Sequence, residues 1–292
     1  MPDRACAPVP TAAVQDLLAA AGGAGVPLAL RELVLVDVAA AHARRFKVDA
    51  QFALGMDTPS ARFSINDKGE PDALRARVRA ALPQARPALD RVFGLAAPGE
   101  VQFTIAVKAG PRGLACVTLY LEELGRSPRG EAIRRGARAL ASVGPPAEDG
   151  LEPAAVGVDL DPAGNFVGIK DYRVRTLTRD PEDATLRAFP VHPVTGTRRF
   201  LHACRYAPGG VVLGSKLLWM SETWRPEDAP RAWGEVDRIA AGRPVGPTDR
   251  ALAALRAGWR HAPEAFLYPD LVGLNAGADG RQEGAIVYVS VR

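Results

Sequence analysis

The chain is 292 residues long, 47% hydrophobic and 24% charged, with 29 Gly and 25 Pro, a composition that excludes a fibrous or a disordered protein. Lys and Arg number 37 against 33 Asp and Glu, a formal net charge of +4. The excess is small and no basic run carries it, so it suits an anionic ligand and argues against nucleic acid.

Residues 1–10 lack the basic segment and apolar core of a secretion signal. No uncharged apolar run reaches the ~20 residues that a membrane-spanning helix needs. Cys6, Cys116 and Cys204 show no paired spacing, so neither a disulfide framework nor a zinc knuckle is expected. The expectation is a soluble cytoplasmic protein that binds no membrane.

Thr11 is placed to cap a helix that runs to Ala20 and breaks at Gly22-Gly23. A second helix is expected over residues 29–44. The pattern then changes to short alternating runs separated by turn residues, and five hairpins follow. They span residues 48–65, 101–121, 154–174, 198–220 and 266–291. Their turns fall at Asp57-Thr58-Pro59-Ser60, Gly110-Pro111-Arg112-Gly113, Asp161-Pro162-Ala163-Gly164, Pro208-Gly209-Gly210 and residues 276–280. Helices separate them: residues 71–93, broken near Pro83, then 130–143, 181–188, 227–241 and 248–259, the last with Thr248 as N-cap.

Ten antiparallel strands alternating with helices read as an α+β fold, a closed ten-stranded antiparallel β-barrel of five hairpins surrounded by helices. The whole chain is expected to be one domain, with N-terminal helices over 11–44 and barrel repeats over 47–292. An unrelated α+β protein with open sheets is the competing architecture.

The second strands of the hairpins repeat a pattern. They read Cys116-Val-Thr118-Leu-Tyr120, Gly168-Ile-Lys170-Asp-Tyr172, Gly214-Ser-Lys216-Leu-Leu218 and Gly284-Ala-Ile286-Val-Tyr288, with Arg62-Phe-Ser64-Ile as the weakest member. Residues two apart share a face. One face is small, then polar or cationic, then Tyr. The other carries Val117, Leu119, Leu121, Val167, Ile169, Leu213, Leu217, Trp219, Ala285, Val287, Val289, Phe63 and Ile65, and is expected to meet the helices.

The polar face would then line a lumen wider than that of an eight-stranded barrel. Thr118, Tyr120, Lys170, Tyr172, Lys216 and Tyr288 would line it, with Arg62, Ser64, Thr104 and Lys108. Cations in a dry chamber call for an anion, and Lys and Arg both suit phosphate. Aromatic faces stabilise a carbocation. Read singly, Lys170 and Arg62 also fit solvated strand positions, and the tyrosines also fit ordinary strand formers. Of the four histidines, His202 is the one placed to reach a lumen. Glu122-Glu123 form a rim that could accept a proton. There is no P-loop, dinucleotide fingerprint or nucleophile elbow. The Asp-Asp-x-x-Asp box that holds a diphosphate through magnesium is also missing.

This order of helices and hairpins resembles the ABBA prenyltransferases, the PT-barrel enzymes of aromatic and cyanobactin-peptide prenylation, from about Lys47 to Arg292. The nearest local likenesses are Val156-Gly157-Val158-Asp159-Leu160 with Lys170-Asp171-Tyr172, and Leu271-Val272-Gly273-Leu274 with Ala285-Ile286-Val287-Tyr288. The resemblance implies prenyl transfer from dimethylallyl or geranyl diphosphate to an aromatic or peptide acceptor. It places the diphosphate on Lys170 and Tyr172, with Lys216 next, and gives Tyr120 and Tyr288 the shielding positions. It implies no required cofactor and leaves room for magnesium. The chain differs from the family at Thr118, where many members have Lys, at Leu218, where Tyr is common, and at Arg62, where some have a magnesium-binding Asp. A PT-barrel without transferase activity, binding an amphipathic molecule or peptide, is the alternative.

Overall fold

A computed structural model describes residues 11–20, 46–54, 61–67, 71–110, 113–145, 151–177, 197–220, 226–262 and 265–291. The helices expected over 29–44 and 181–188, the turn at 57–60 and two of the four histidines, His42 and His192, lie outside these residues.

The elements follow as α1 (Thr11–Ala20), β1 (Phe46–Leu54), β2 (Ala61–Asp67), α2 (Pro71–Ala81), α3 (Arg86–Phe93), β3 (Gln102–Gly110), β4 (Gly113–Glu122), α4 (Pro128–Leu140), β5 (Glu152–Leu160), β6 (Phe166–Leu177), β7 (Arg198–Tyr206), β8 (Val212–Met220), α5 (Ala229–Ala240), α6 (Pro247–Gly258), β9 (Leu267–Ala276) and β10 (Gln282–Val291). Pro83 opens a single 3-10 turn between α2 and α3, where the sequence expects the break.

All ladders are antiparallel, in the order β1-β10-β9-β8-β7-β6-β5-β4-β3-β2, and β1 pairs with both β10 and β2. Every strand therefore has two hydrogen-bonded neighbours and the ring of ladders closes. The tight turn between β5 and β6 is stitched by Gly164 N–H donating to the Asp161 carbonyl at 3.0 Å and Asn165 N–H donating to Asp161 Oδ1 at 2.8 Å. The β9–β10 turn repeats the form, with Gly280 N–H donating to the Gly277 carbonyl at 3.0 Å.

Helix ends follow local chemistry. Ser127 Oγ accepts from Gly130 N–H at 2.9 Å, and Pro128 takes the first helical position of α4. At α6 the expected cap is displaced by two residues. Gly246 is the N-cap, Pro247 the first helical residue, and Asp249 Oδ2 accepts from Gly246 N–H at 2.9 Å. Thr248 sits inside the first turn, because Pro247 needs no partner for its nitrogen and claims the start of the helix.

Two apolar layers result. The outer one joins strand faces to helices: Phe52, Phe103, Leu119, Leu121, Val158, Ile169, Val272, Val287 and Val289 pack with Leu89, Val92, Phe93, Ile133, Val236 and Leu252. Each fully buried side chain of this size contributes about 1.5–3 kcal/mol. Helix α4 lies on β5 and β6, α5 on β9, and α6 on β1. The inner layer is separate and holds Ala53, Ala106, Tyr120, Ala155, Tyr172, Ala203, Leu218, Ile286 and Tyr288.

The two faces of β4, β6, β8 and β10 therefore separate as the alternation predicts. Two residues of the expected helix-facing set are exceptions. Val167 and Leu213 are 39% and 44% exposed. They stand beside the hairpin tips, where the strands extend past their neighbours.

Candidate functional site: the lumen

The residues expected in a lumen are brought together in small groups by strand register. Thr118 on β4 stands opposite Asp159 on β5, which stands opposite Gly168 on β6. Lys170, two residues along β6, reaches back to this pair. Its Nζ donates to Thr118 Oγ1 at 2.8 Å and to Asp159 Oδ1 at 2.5 Å, and Thr118 Oγ1 also donates to Asp159 Oδ1. Lys170 is 5% exposed, so the solvated-strand reading is wrong for it. A buried ammonium needs this company, since its desolvation costs several kcal/mol.

Lys216 on β8 is 8% exposed. Its Nζ lies 3.3 Å from Gln51 Oε1 and 3.3 Å from the Tyr288 hydroxyl, and 5.8 Å from the centre of the Tyr288 ring. The hydroxyls of Tyr120 and Tyr172 are 3.4 Å apart and their rings meet edge to face, with centroids 5.7 Å apart. These contacts set three tyrosines and two lysines on one inner surface.

Glycine makes the Tyr120 position available. A Cβ on Gly157, opposite Tyr120, would come within 2.7 Å of the Tyr120 ring and 3.0 Å of Thr118 Cγ2. The bare backbone of β5 thus lets the ring lie flat across the neighbouring strand.

Thr104 stands opposite Tyr120 and is 4% exposed, with Oγ1 buried and unpartnered among the described residues. Lys108 is half-buried, between Arg62 and Cys116 in register. Arg62 and Ser64 fall on the same face by register, opposite Lys108 and Ala106. At the far end of β4, Gln102 Nε2 donates to Glu122 Oε2 at 2.5 Å, and this carboxylate belongs to the lumen face as a rim group.

His202 does not belong to this surface. It stands opposite Arg173 and Leu217 on the outer face, with Nε2 3.7 Å from Cys204 Sγ. Its strand parity is one step off that of Ala203, which faces inward beside Tyr172 and Lys216.

Four lumen residues escape a reading of second strands alone: Asp159, Gln51, Arg205 and Asn275. Arg205 pairs in register with Lys170, and Asn275 with Lys216. Arg205 Nε and Asn275 Oδ1 are buried without a hydrogen-bond partner among the described residues. Such atoms cost ~1–3 kcal/mol each when left unsatisfied, and here they border the two lysines. Extending the alternation to the first strand of each hairpin assigns each of them a face, as Gly157-Val-Asp159 shows, but which side chains they meet follows only from register.

The surface offers cationic and amide donors next to aromatic and aliphatic walls. Side chains of these kinds side by side suit a ligand that joins a polyanion to an apolar group. Among the described residues, no group of three or more His, Cys, Asp or Glu side chains is gathered to hold a metal ion. No helix among them is long and apolar enough to cross a membrane.

No family model matches the chain. No curated protein matches it in sequence. Solved structures do match, over nearly the whole chain. The 5-dimethylallyltryptophan synthase from Streptomyces coelicolor superposes with a TM-score of 0.60 at 17% identity, covering 97% of this chain and 95% of that one. The 6-dimethylallyltryptophan synthase from Micromonospora olivasterospora, in complex with DMASPP and Trp, gives 0.60 at 20% identity, covering 96% and 95%. The prenyltransferase PriB, in a ternary complex with L-tryptophan and dimethylallyl thiolodiphosphate, gives 0.59 at 17% identity, covering 96% and 94%. The chain therefore shares its fold with these aromatic prenyltransferases.

Proposed function

We propose that the protein transfers a prenyl group from an allylic diphosphate to an aromatic acceptor, with the closed barrel as its reaction chamber. The observation that carries this reading is the pair of buried ammonium groups, Lys170 and Lys216, bordering a wall of Tyr120, Tyr172 and Tyr288. Two of the fold neighbours are solved with such a pair of ligands, DMASPP with Trp and dimethylallyl thiolodiphosphate with L-tryptophan.

In this mechanism the bond from the allylic carbon to the diphosphate oxygen breaks, and the oxygen keeps the electron pair. Lys170, Lys216 and Arg205 take the charge that develops on the leaving group. Faces of the tyrosine rings shield the allylic cation. A carbon of the aromatic acceptor attacks it, and the acceptor then loses a proton to Glu122 at the rim or to water. Binding through side-chain cations needs no metal, and magnesium would act only as an accessory on the diphosphate. Dimethylallyl and geranyl donors, and free or peptide-borne acceptors, all remain within the proposal.

Titration calorimetry tests the donor site. Dimethylallyl and geranyl diphosphate are titrated into wild type and Lys170→Ala, with and without magnesium. Wild type is expected to bind at least one donor, and the variant to bind it about tenfold or more weakly, the loss of one charged hydrogen bond. A folded wild type that binds neither donor would remove the reading.

A further inference from the structure

We propose that Asp159 is an internal counter-ion that makes anion binding in the lumen an exchange, and so selects diphosphates over monophosphates. This rests on the reading of the lumen as a diphosphate site. In the structure the position against Lys170 is taken. Asp159 Oδ1 lies 2.5 Å from Lys170 Nζ and receives the Thr118 hydroxyl as well, with Asp159 8% exposed and Lys170 5% exposed. Both ends of the pair are thus held in a site with little water.

An anion that enters must compete with that carboxylate for the same ammonium. A compact anion that meets Lys170 alone exchanges one ion pair for another, and frees a buried carboxylate that then needs new partners. It gains little. A diphosphate is longer and more highly charged. It can engage Lys170 while a second phosphoryl group reaches Arg205, whose backbone is paired with Lys170, or Lys216 on the next strand. Arg205 Nε is buried with no hydrogen-bond partner among the described residues, so a donor is available there that Asp159 does not occupy. The additional contacts offset the exchange. Asp159 therefore penalises most the anion that depends on Lys170 alone, while one that spans several strands draws part of its binding from Arg205 and Lys216 and loses less to the exchange.

The test compares inorganic phosphate with pyrophosphate by titration calorimetry in wild type, Asp159→Asn and Asp159→Asn/Lys170→Met. Asparagine keeps an oxygen for Thr118 and removes the charge. Wild type is expected to bind pyrophosphate and to bind phosphate far more weakly. In Asp159→Asn the phosphate affinity is expected to rise about tenfold, and the pyrophosphate-to-phosphate ratio to fall. The gain in phosphate affinity is expected to disappear when Lys170 is also replaced, because the freed ammonium is its source. An unchanged ratio in a folded Asp159→Asn overturns the proposal, as does a gain that survives the loss of Lys170. Failure of the underlying reading looks different: wild type then binds neither pyrophosphate nor dimethylallyl diphosphate.

Discussion

Replacement of Asp171 by Ala is expected to cost about 3–5 kcal/mol of folding stability, because it strips the shared anion from three buried guanidinium groups. Asp171 shares no face with its neighbours Lys170 and Tyr172. It points outward, with a fully buried side chain. Arg134 Nε and Nη2 donate to its two oxygens at 2.8 and 2.7 Å, Arg138 Nη1 donates at 3.0 Å, and Arg173 Nη2 at 3.3 Å. Arg134 and Arg138 belong to α4 and Arg173 to β6, so one carboxylate clamps the helix to the sheet. Burial alone would pull the Arg134 guanidinium down, but Asp171 and Glu131 outweigh it and its pKa stands above the ordinary value. Urea unfolding followed by far-UV circular dichroism reads the effect. Asp171→Ala should lower the midpoint steeply, while Asp90→Ala, whose ion pair with Arg79 is half exposed, should change stability by less than about 1 kcal/mol. Equal effects at the two positions would show that the buried cluster is no clamp.

Replacement of Gly273 by Ala is the second large effect, about 3 kcal/mol of destabilisation from overpacking. A Cβ at Gly273 would lie 2.1 Å from the Leu217 carbonyl oxygen and 2.8 Å from Leu218 Cδ2. The first is backbone in the adjoining strand, so β8 and β9 must move apart to admit it. The second is the buried lumen residue Leu218, which the bare backbone of Gly273 accommodates. Gly234 in α5 is the matched control, since a Cβ there meets nothing within 4 Å. Gly234→Ala should be neutral or stabilising by about 0.5–1 kcal/mol, through helix propensity. A Gly273→Ala protein as stable as wild type would contradict the close approach of the two strands.

Much of this architecture was legible in the sequence because antiparallel hairpins announce themselves locally. Turn residues at 161–164 and 208–210 mark reversals that no long-range contact has to specify. Strict alternation in Val117-Thr118-Leu119-Tyr120-Leu121 assigns each side chain to helix or lumen before any partner is known. Alternation reports only a face, however, and so it missed what register decides. Asp159 reads as a residue flanking a turn until β5 is laid beside β4 and β6, when it falls between Thr118 and Lys170. Gln51 becomes a lumen residue only when β1 pairs with β10 and meets Tyr288. Asp171 was hidden for a different reason: a charge on the helix-facing side contradicts the apolar pattern, and its two partners on the helix lie more than thirty residues away. The exposed Val167 and Leu213 show the converse, since alternation does not report where the covering helices stop.

Turnover is the measurement that tests the account most directly. Wild type and Lys170→Ala are incubated with dimethylallyl diphosphate and tryptophan or tyrosine, free and within short peptides, and the products are read by mass spectrometry. The account predicts a prenylated aromatic acceptor and release of diphosphate with wild type, and little or none with Lys170→Ala. A folded wild type that binds dimethylallyl diphosphate yet prenylates none of these acceptors would contradict the transferase and leave a barrel that binds an amphipathic ligand without transforming it.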